Sequence, residues 1–227
     1  IALKTGINNI AKISREFGLG LPTGINLPGE KSGLIPDRKW KLDVKKQVWR
    51  PGETIIAGIG QGYVLATPIQ LALMTARIAN GGKKIKPTLL KSPILQASNA
   101  NSVKVSEENL NIIKRAMEKV TLDELGTGRN FRLGIKGVEM AGKTGTVQVR
   151  RISTKERESE EGVIKNEDRI WEWRDHALYV GYAPMDKPRY AISVIVEHGG
   201  SGSSKAGPIA RDIMEATLTA VSYTHLT

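Results

Sequence analysis

Residues 138–149 read VEMAGKTGTVQV. Upstream of Gly126 the apolar residues recur at helical spacing; beyond it they alternate, so this stretch is expected to be a β-strand with glycine at its centre. Two further runs share the period, HALYVGYA at 176–183 and RYAISVIVE at 189–197, joined by a turn between Pro184 and Pro188. Three such strands, with helical patterns before and after them, predict an α+β protein with an antiparallel sheet flanked by helices. Glycine weakens a strand interior, so its presence in Ala141-Gly142-Lys143-Thr144-Gly145-Thr146 calls for a reason, commonly the close approach of a backbone or ligand. Lys143 supplies a compact cation, Thr144 and Thr146 supply hydroxyls, and Gly145 supplies clearance, a set suited to a carboxylate and to an extended peptide pairing with the strand. The alternative is a solvent-facing Lys-Thr on an edge strand.

Helices bracket this sheet. Gly6, then Asn8 as a cap, and Ile10, Ile13 and Phe17 predict a helix closed by Gly18. Thr67, Pro68 and Gln70 form a capping box ahead of a stripe of Ile69, Leu73, Ala76, Ile78 and Ala79, ended by Gly81-Gly82. Ser106 opens another helix with face Leu110, Ile113, Met117 and Val120. The last helix is expected from Pro208, with Ile209, Ile213, Ala216 and Ala220 inward. Between these, residues 18–62 read as a long loop punctuated by glycine and proline. Residues 150–174, with 7 basic and 7 acidic side chains, read as a solvated excursion.

The chain has 227 residues, 40% hydrophobic and 25% charged, which fits a globular protein with a real core. The absence of cysteine excludes disulfide scaffolds, thiolate metal sites and cysteine nucleophiles. The net charge of +11 is confined to residues 1–104, which carry 16 Lys and Arg against 5 Asp and Glu; residues 105–227 carry 18 of each. Such a basic face can meet nucleic acid, an anionic membrane surface or another polyanion, and a solvated basic surface is the expected reading. Nucleic-acid binding is poorly supported, because only Trp40 and Trp49 lie among the lysines to stack on bases. Three scattered histidines give no metal spacing.

Several stretches together resemble the C-terminal half of a class B penicillin-binding protein transpeptidase domain, in the branch that serves cell elongation. They are GLPTGINLPGEKSGLIPDRKW at 20–40, GETIIAGIGQGYVLATPIQLA at 52–72, IANGG at 78–82, AGKTGTVQV at 141–149 and RDHALYVGYAP at 174–184. Lys-Thr-Gly is the third element of the serine acyl-transferase set in such proteins. The resemblance runs in order to about Ala220; residues 1–221 are assigned to the domain and 222–227 to a tail of doubtful origin. It implies a penicillin-binding protein/serine β-lactamase-like fold, partial here, and a peptidoglycan D,D-transpeptidase acting through a serine acyl-enzyme. By the same resemblance Lys143 binds the substrate or β-lactam carboxylate, Thr144 bonds within that cluster, Gly145 admits the donor peptide, and the Thr146 N–H supplies half of an oxyanion hole. The implied partners are peptidoglycan stem peptides and β-lactams, with membrane proteins of the elongation machinery reached through an N-terminal region. No cofactor, metal or nucleic acid is expected, and the implied location is the periplasmic face of the bacterial inner membrane.

The sequence departs from the family at one decisive point. No serine is followed by Lys at i+3 or by Asn or Asp at i+2. The Ser-x-x-Lys and Ser-x-Asn elements are therefore expected to precede Ile1, leaving a fragment inactive by itself. The competing expectation is a non-catalytic penicillin-binding or partner-docking module. Gly60-Gln61-Gly62 is expected to pack behind the site, Asp175 and His176 to serve a buried ion pair or hydrogen bond rather than a catalytic dyad, His198 to lie near the cleft, and Trp171 and Trp173 to anchor the excursion or touch a partner.

Overall fold

A computed structural model describes residues 1–90, 101–150, 152–159 and 162–224. The chain divides into two compact units, Ile1–Ile113 and Lys114–Thr227.

The first unit is helical. Helices α1 (Ala2–Thr5) and α2 (Ile7–Glu16) are separated by Gly6, which caps α2 in place of the expected Asn8; the Asn8 side chain instead accepts from the Arg38 N–H at 3.3 Å. The buried side of α2 is Ile7 and Ala11, followed by Phe17, whereas Ile13 is exposed. The expected loop at 18–62 contains two helices, α3 (Arg38–Lys45) and α4 (Pro51–Ala57). Asp37 caps α3 by accepting from the Trp40 N–H at 2.8 Å. Pro51 opens α4, and the Glu53 carboxylate reaches back to the Arg50 N–H at 2.7 Å. A buried knot joins them: Lys41 pairs with Glu53 and sits over Trp49, whose indole N–H donates to Thr54 Oγ1 at 2.8 Å. Burial pushes the Glu53 carboxyl up, but the bonds from Lys41 and Arg50 and their charges outweigh it and hold the group below its usual range.

Helix α5 (Pro68–Ala79) has the expected capping box. Its core side includes Leu73, Ile78 and Ala79, but also the polar Gln70 and Thr75, each without exposed surface. Gln70 is tolerated there because its amide is satisfied, donating to the carbonyls of Leu21 (2.7 Å) and Ser32 (2.8 Å) while accepting from the Thr67 N–H. Helix α6 (Glu107–Leu122) starts at Ser106 as expected; Leu110 and Met117 are buried and Ile113 is exposed.

The second unit holds the sheet: β1 (Ala141–Val147), β2 (His176–Ala183) and β3 (Tyr190–Val196), antiparallel throughout in the order β1-β2-β3. The register pairs Lys143 with Val180, Thr144 with Tyr179 and Gly145 with Leu178. The 199–204 loop tightens into a π-helical turn, Gly202–Ala206, that runs straight into α8 (Gly207–Thr224). Ala206, Ala210 and Met214 pack with Phe131, Met140, Ala177 and Tyr179 in the core.

That packing reverses the expected face of α8. Ile209, Ile213, Ala216 and Ala220 point outward, and the small residues Ala206 and Ala210 face the core, leaving Met214 as the long buried side chain. Helix α8 runs past Ala220 to Thr224; residues 225–227 lie outside the described residues. Within 150–174 the excursion carries a short helix α7 (Thr154–Arg157) and two 3-10 turns at Asn166–Asp168 and Trp171–Trp173.

Met214→Ala is expected to destabilise the protein by about 2–5 kcal/mol in urea unfolding, while Ile213→Ala stays within about 0.5 kcal/mol; the reverse order would restore the face read from sequence. Because Glu53 titrates below its unfolded value, its contribution is in place above the ordinary carboxylate range and is lost as pH falls through the folded value. The stability gap between wild type and Glu53→Gln should therefore close between roughly pH 5 and pH 3. A gap that stays constant would show that the carboxylate is not what Lys41 stabilises.

Candidate active site

The chemistry-bearing residues Lys143, Thr144, Gly145 and Thr146 all lie on β1, an edge strand of the sheet among the described residues. Alternation sends Lys143 to the face of Val180 and Ser193, and Thr144 and Thr146 to the face of Tyr179 and Ala177. Lys143 is exposed, and its ammonium folds back to donate to the Thr144 carbonyl oxygen at 2.6 Å. Thr144 Oγ1 shares a 2.8 Å hydrogen bond with Thr127 Oγ1, a residue that sequence reasoning did not select.

The strand is held rigidly from behind. Strand β2 is buried over almost its whole length, with Ala177, Tyr179, Tyr182 and Ala183 fully enclosed. Helix α6 ties in just before β1, through a buried bond from Thr121 Oγ1 to the Met140 carbonyl oxygen at 2.6 Å. The expectation that glycine in this strand marks a close approach holds, but two approaches are internal. A Cβ on Gly142 would collide with Tyr179 Oη, and one on Gly202 would collide with the Gly145 and Leu178 carbonyl oxygens. Gly142 thus serves tyrosine packing, and the Gly-Ser turn rests directly on the backbone of β1 at Gly145.

Neither buried tyrosine is available as a base. Desolvation pushes the Tyr179 hydroxyl far above its ordinary value and the Tyr182 hydroxyl up to about 12, the latter aided by Glu118. Among the described residues neither hydroxyl finds a hydrogen-bond partner. The same residues contain no cluster of His, Asp and Glu able to hold a metal ion.

Asp175 and His176 do not form a dyad. Asp175 is paired with Arg169 at 3.2 Å, both side chains largely buried, and its backbone N–H donates to Asn166 Oδ1 at 2.8 Å. His176 Nδ1 accepts from the His198 N–H at 2.8 Å. His198 in turn stacks against Trp171, with ring centroids 4.2 Å apart. These contacts fasten the excursion to the end of β2, one of the two roles expected of Trp171, although Trp171 and Trp173 are both exposed. Gly60-Gln61-Gly62 lies in the first unit, ahead of α5, where its glycines adopt positive φ.

Comparison with known proteins decides the family. The profile of the penicillin binding protein transpeptidase domain matches residues 1–215. This chain belongs to that family. The peptidoglycan D,D-transpeptidase MrdA of Haemophilus influenzae is 37% identical over 226 residues, 95% of this chain and 33% of that protein. The MrdA of Acinetobacter baumannii is 38% identical over 92% of this chain and 31% of its own length. Among solved structures, Pseudomonas aeruginosa PBP2 in complex with WCK 5153 matches with a TM-score of 0.78 and 37% identity, covering 96% of this chain and 43% of that one. A complex between PBP2 and MreC from Helicobacter pylori matches with a TM-score of 0.81 and 33% identity, covering 98% and 37%. The expected fold, the penicillin-binding protein/β-lactamase-like arrangement of helices on an antiparallel sheet, is borne out. The chain spans about a third of the length of the curated relatives it matches.

Proposed function

We propose that this chain forms the Lys-Thr-Gly side of the active site of a peptidoglycan D,D-transpeptidase, and that the nucleophilic serine and its base lie in the part of the protein that its relatives possess beyond these 227 residues. The observation that carries the reading is Lys143 to Thr146 on an edge strand whose inner side is packed and tied down, within a chain of the transpeptidase family. An edge strand can take an extended peptide as an added neighbour, and the side chains on its two faces flank that edge.

In this reading the C-terminal carboxylate of a D-Ala–D-Ala donor is held by the Lys143 ammonium, with the Thr144 and Thr146 hydroxyls donating to it. Lys143 also tunes the serine of the second motif. The nucleophilic serine attacks the carbonyl carbon of the penultimate D-Ala. The tetrahedral oxyanion is met by the Thr146 N–H and by the N–H of the nucleophile. The C–N bond breaks, terminal D-Ala leaves with a proton as its amine, and an ester joins peptide and serine. An amine of a neighbouring stem peptide then attacks the ester and frees the serine. A β-lactam presents the same carboxylate and carbonyl, but its leaving amine stays tethered. The proposed partners are peptidoglycan stem peptides, β-lactams and membrane proteins of the elongation machinery, MreC among them, as the complex of the Helicobacter pylori relative suggests. The proposed location is the periplasmic face of the inner membrane, and among the described residues no helix is long and apolar enough to cross a membrane.

Fluorescent penicillin is expected to leave this 227-residue chain unlabelled and to label the full-length protein on a serine outside it. In the full-length protein, Lys143→Ala should slow acylation by about 10- to 100-fold, the weight of a hydrogen bond to a charged group, with the melting temperature unchanged. A covalent adduct on a serine of this chain, or full acylation of Lys143→Ala, would refute the assignment. An intact parent without Ser-x-x-Lys would favour a non-catalytic module.

A further inference from the structure

The loop that leaves helix α6 carries the exposed Thr127 between two glycines, Gly126 and Gly128. Gly128 N–H donates to the Val120 carbonyl oxygen at 2.7 Å, so the chain folds back over the last turn of the helix and satisfies an otherwise orphaned acceptor. Gly126 and Gly128 both press against that turn. A Cβ at position 126 would collide with the Val120 carbonyl oxygen, and one at 128 would lie 2.9 Å from the same atom and 3.1 Å from Phe131. Arg132 clamps the same end of the helix, donating to the carbonyls of Thr121 and Leu122, each at 2.6 Å. Thr121 itself is bonded to Met140, the residue before β1. The loop is therefore fixed relative to the strand on both sides of Thr127, and what Thr127 meets is Thr144 Oγ1 at 2.8 Å.

We propose that Thr127 is a positioning residue for the Lys-Thr-Gly strand: its hydroxyl donates to Thr144 Oγ1 and so leaves the single Thr144 proton to be given to the substrate carboxylate. A hydroxyl has one donor and two acceptor sites. When an anion approaches β1, the arrangement that satisfies every group is Thr127 O–H to Thr144 Oγ1, and Thr144 O–H to the carboxylate. Each bond in such a chain polarises the next. With an isosteric methyl at 127, the Thr144 hydroxyl loses its donor and its fixed direction, while packing is unchanged. The inference rests on the carboxylate-binding role proposed above for this strand.

The test compares acylation rates by fluorescent penicillin in the full-length protein, for wild type, Thr127→Val, Thr127→Ser, Thr144→Val and the Thr127→Val/Thr144→Val pair. Thr127→Val should react about five- to tenfold more slowly, the scale of one net hydrogen bond. Thr127→Ser should stay within about twofold, since it keeps the hydroxyl. The double variant should be no slower than Thr144→Val alone, because Thr127 acts only through Thr144. All should melt within about 2 °C of wild type, separating positioning from folding. A wild-type rate in Thr127→Val, a serine variant as slow as the valine one, or effects that multiply in the double variant would each overturn the proposal. A wild type that does not react at all would instead count against the transpeptidase reading. In the crystal structure of Thr127→Val, a reoriented Thr144 hydroxyl sustains the proposal and an unmoved one overturns it.

Discussion

Strand β1 is an edge strand among the described residues, with β2 as its strand neighbour, and the arrangement of the site depends on that asymmetry. An edge strand left to itself frays or recruits stray partners. Here its inner side is paired residue for residue with β2, its backbone at Gly145 carries the Gly202 turn, and its N-terminal approach is pinned by Thr121 to Met140. The strand is thus free to bind along its outer edge while its position is set from within. Short polar residues at that edge then meet a ligand from a fixed backbone, which is what differential stabilisation of a transition state requires.

Glycine in this region does two jobs that sequence alone merges into one. The tight packing of Tyr179 forces Gly142, and the overlying turn rests on Gly145 through Gly202. Both are internal contacts. Ala206 of the π-helical turn and Ala210 of α8 pack into the core with Tyr179 and Ala177. The Phe131 ring meets Tyr179 edge-on at 5.1 Å and closes the same core from the side of the α6 loop. Burial alone holds the Tyr179 hydroxyl in its neutral form, and burial aided by the Glu118 charge does the same for Tyr182.

How much of this was legible varied with the kind of signal. Strands β1 to β3 fell within the stretches read as strands, because β-branched and aromatic runs bounded by turn residues mark them in the sequence. The cap of α5 was equally plain, since Thr67, Pro68 and Gln70 act within four residues of one another. Helices α3 and α4 were hidden by their own caps: Asp37, Pro51 and Gly52 read as loop punctuation, and each helix is two turns or so long. The face of α8 was misread because hydrophobicity was taken as depth. The helix turns Ala210 and Met214 to the core and leaves Ile209 and Ile213 exposed. Thr127 was missed for a different reason: nothing local in Gly-Thr-Gly announces a partner 17 residues away. Lys143, Thr144, Gly145 and Thr146 were found because their chemistry is concentrated in four consecutive positions.

The central claim is that this strand receives a carboxylate. The most direct measurement is a crystal structure of the full-length protein acylated by a β-lactam. The account predicts the drug carboxylate within hydrogen-bond distance of Lys143 Nζ and the Thr144 or Thr146 hydroxyl, with the drug lying along the outer edge of β1 and its ester carbonyl on the Thr146 N–H. A covalently bound drug whose carboxylate is held elsewhere, with the outer edge of β1 untouched, would contradict it.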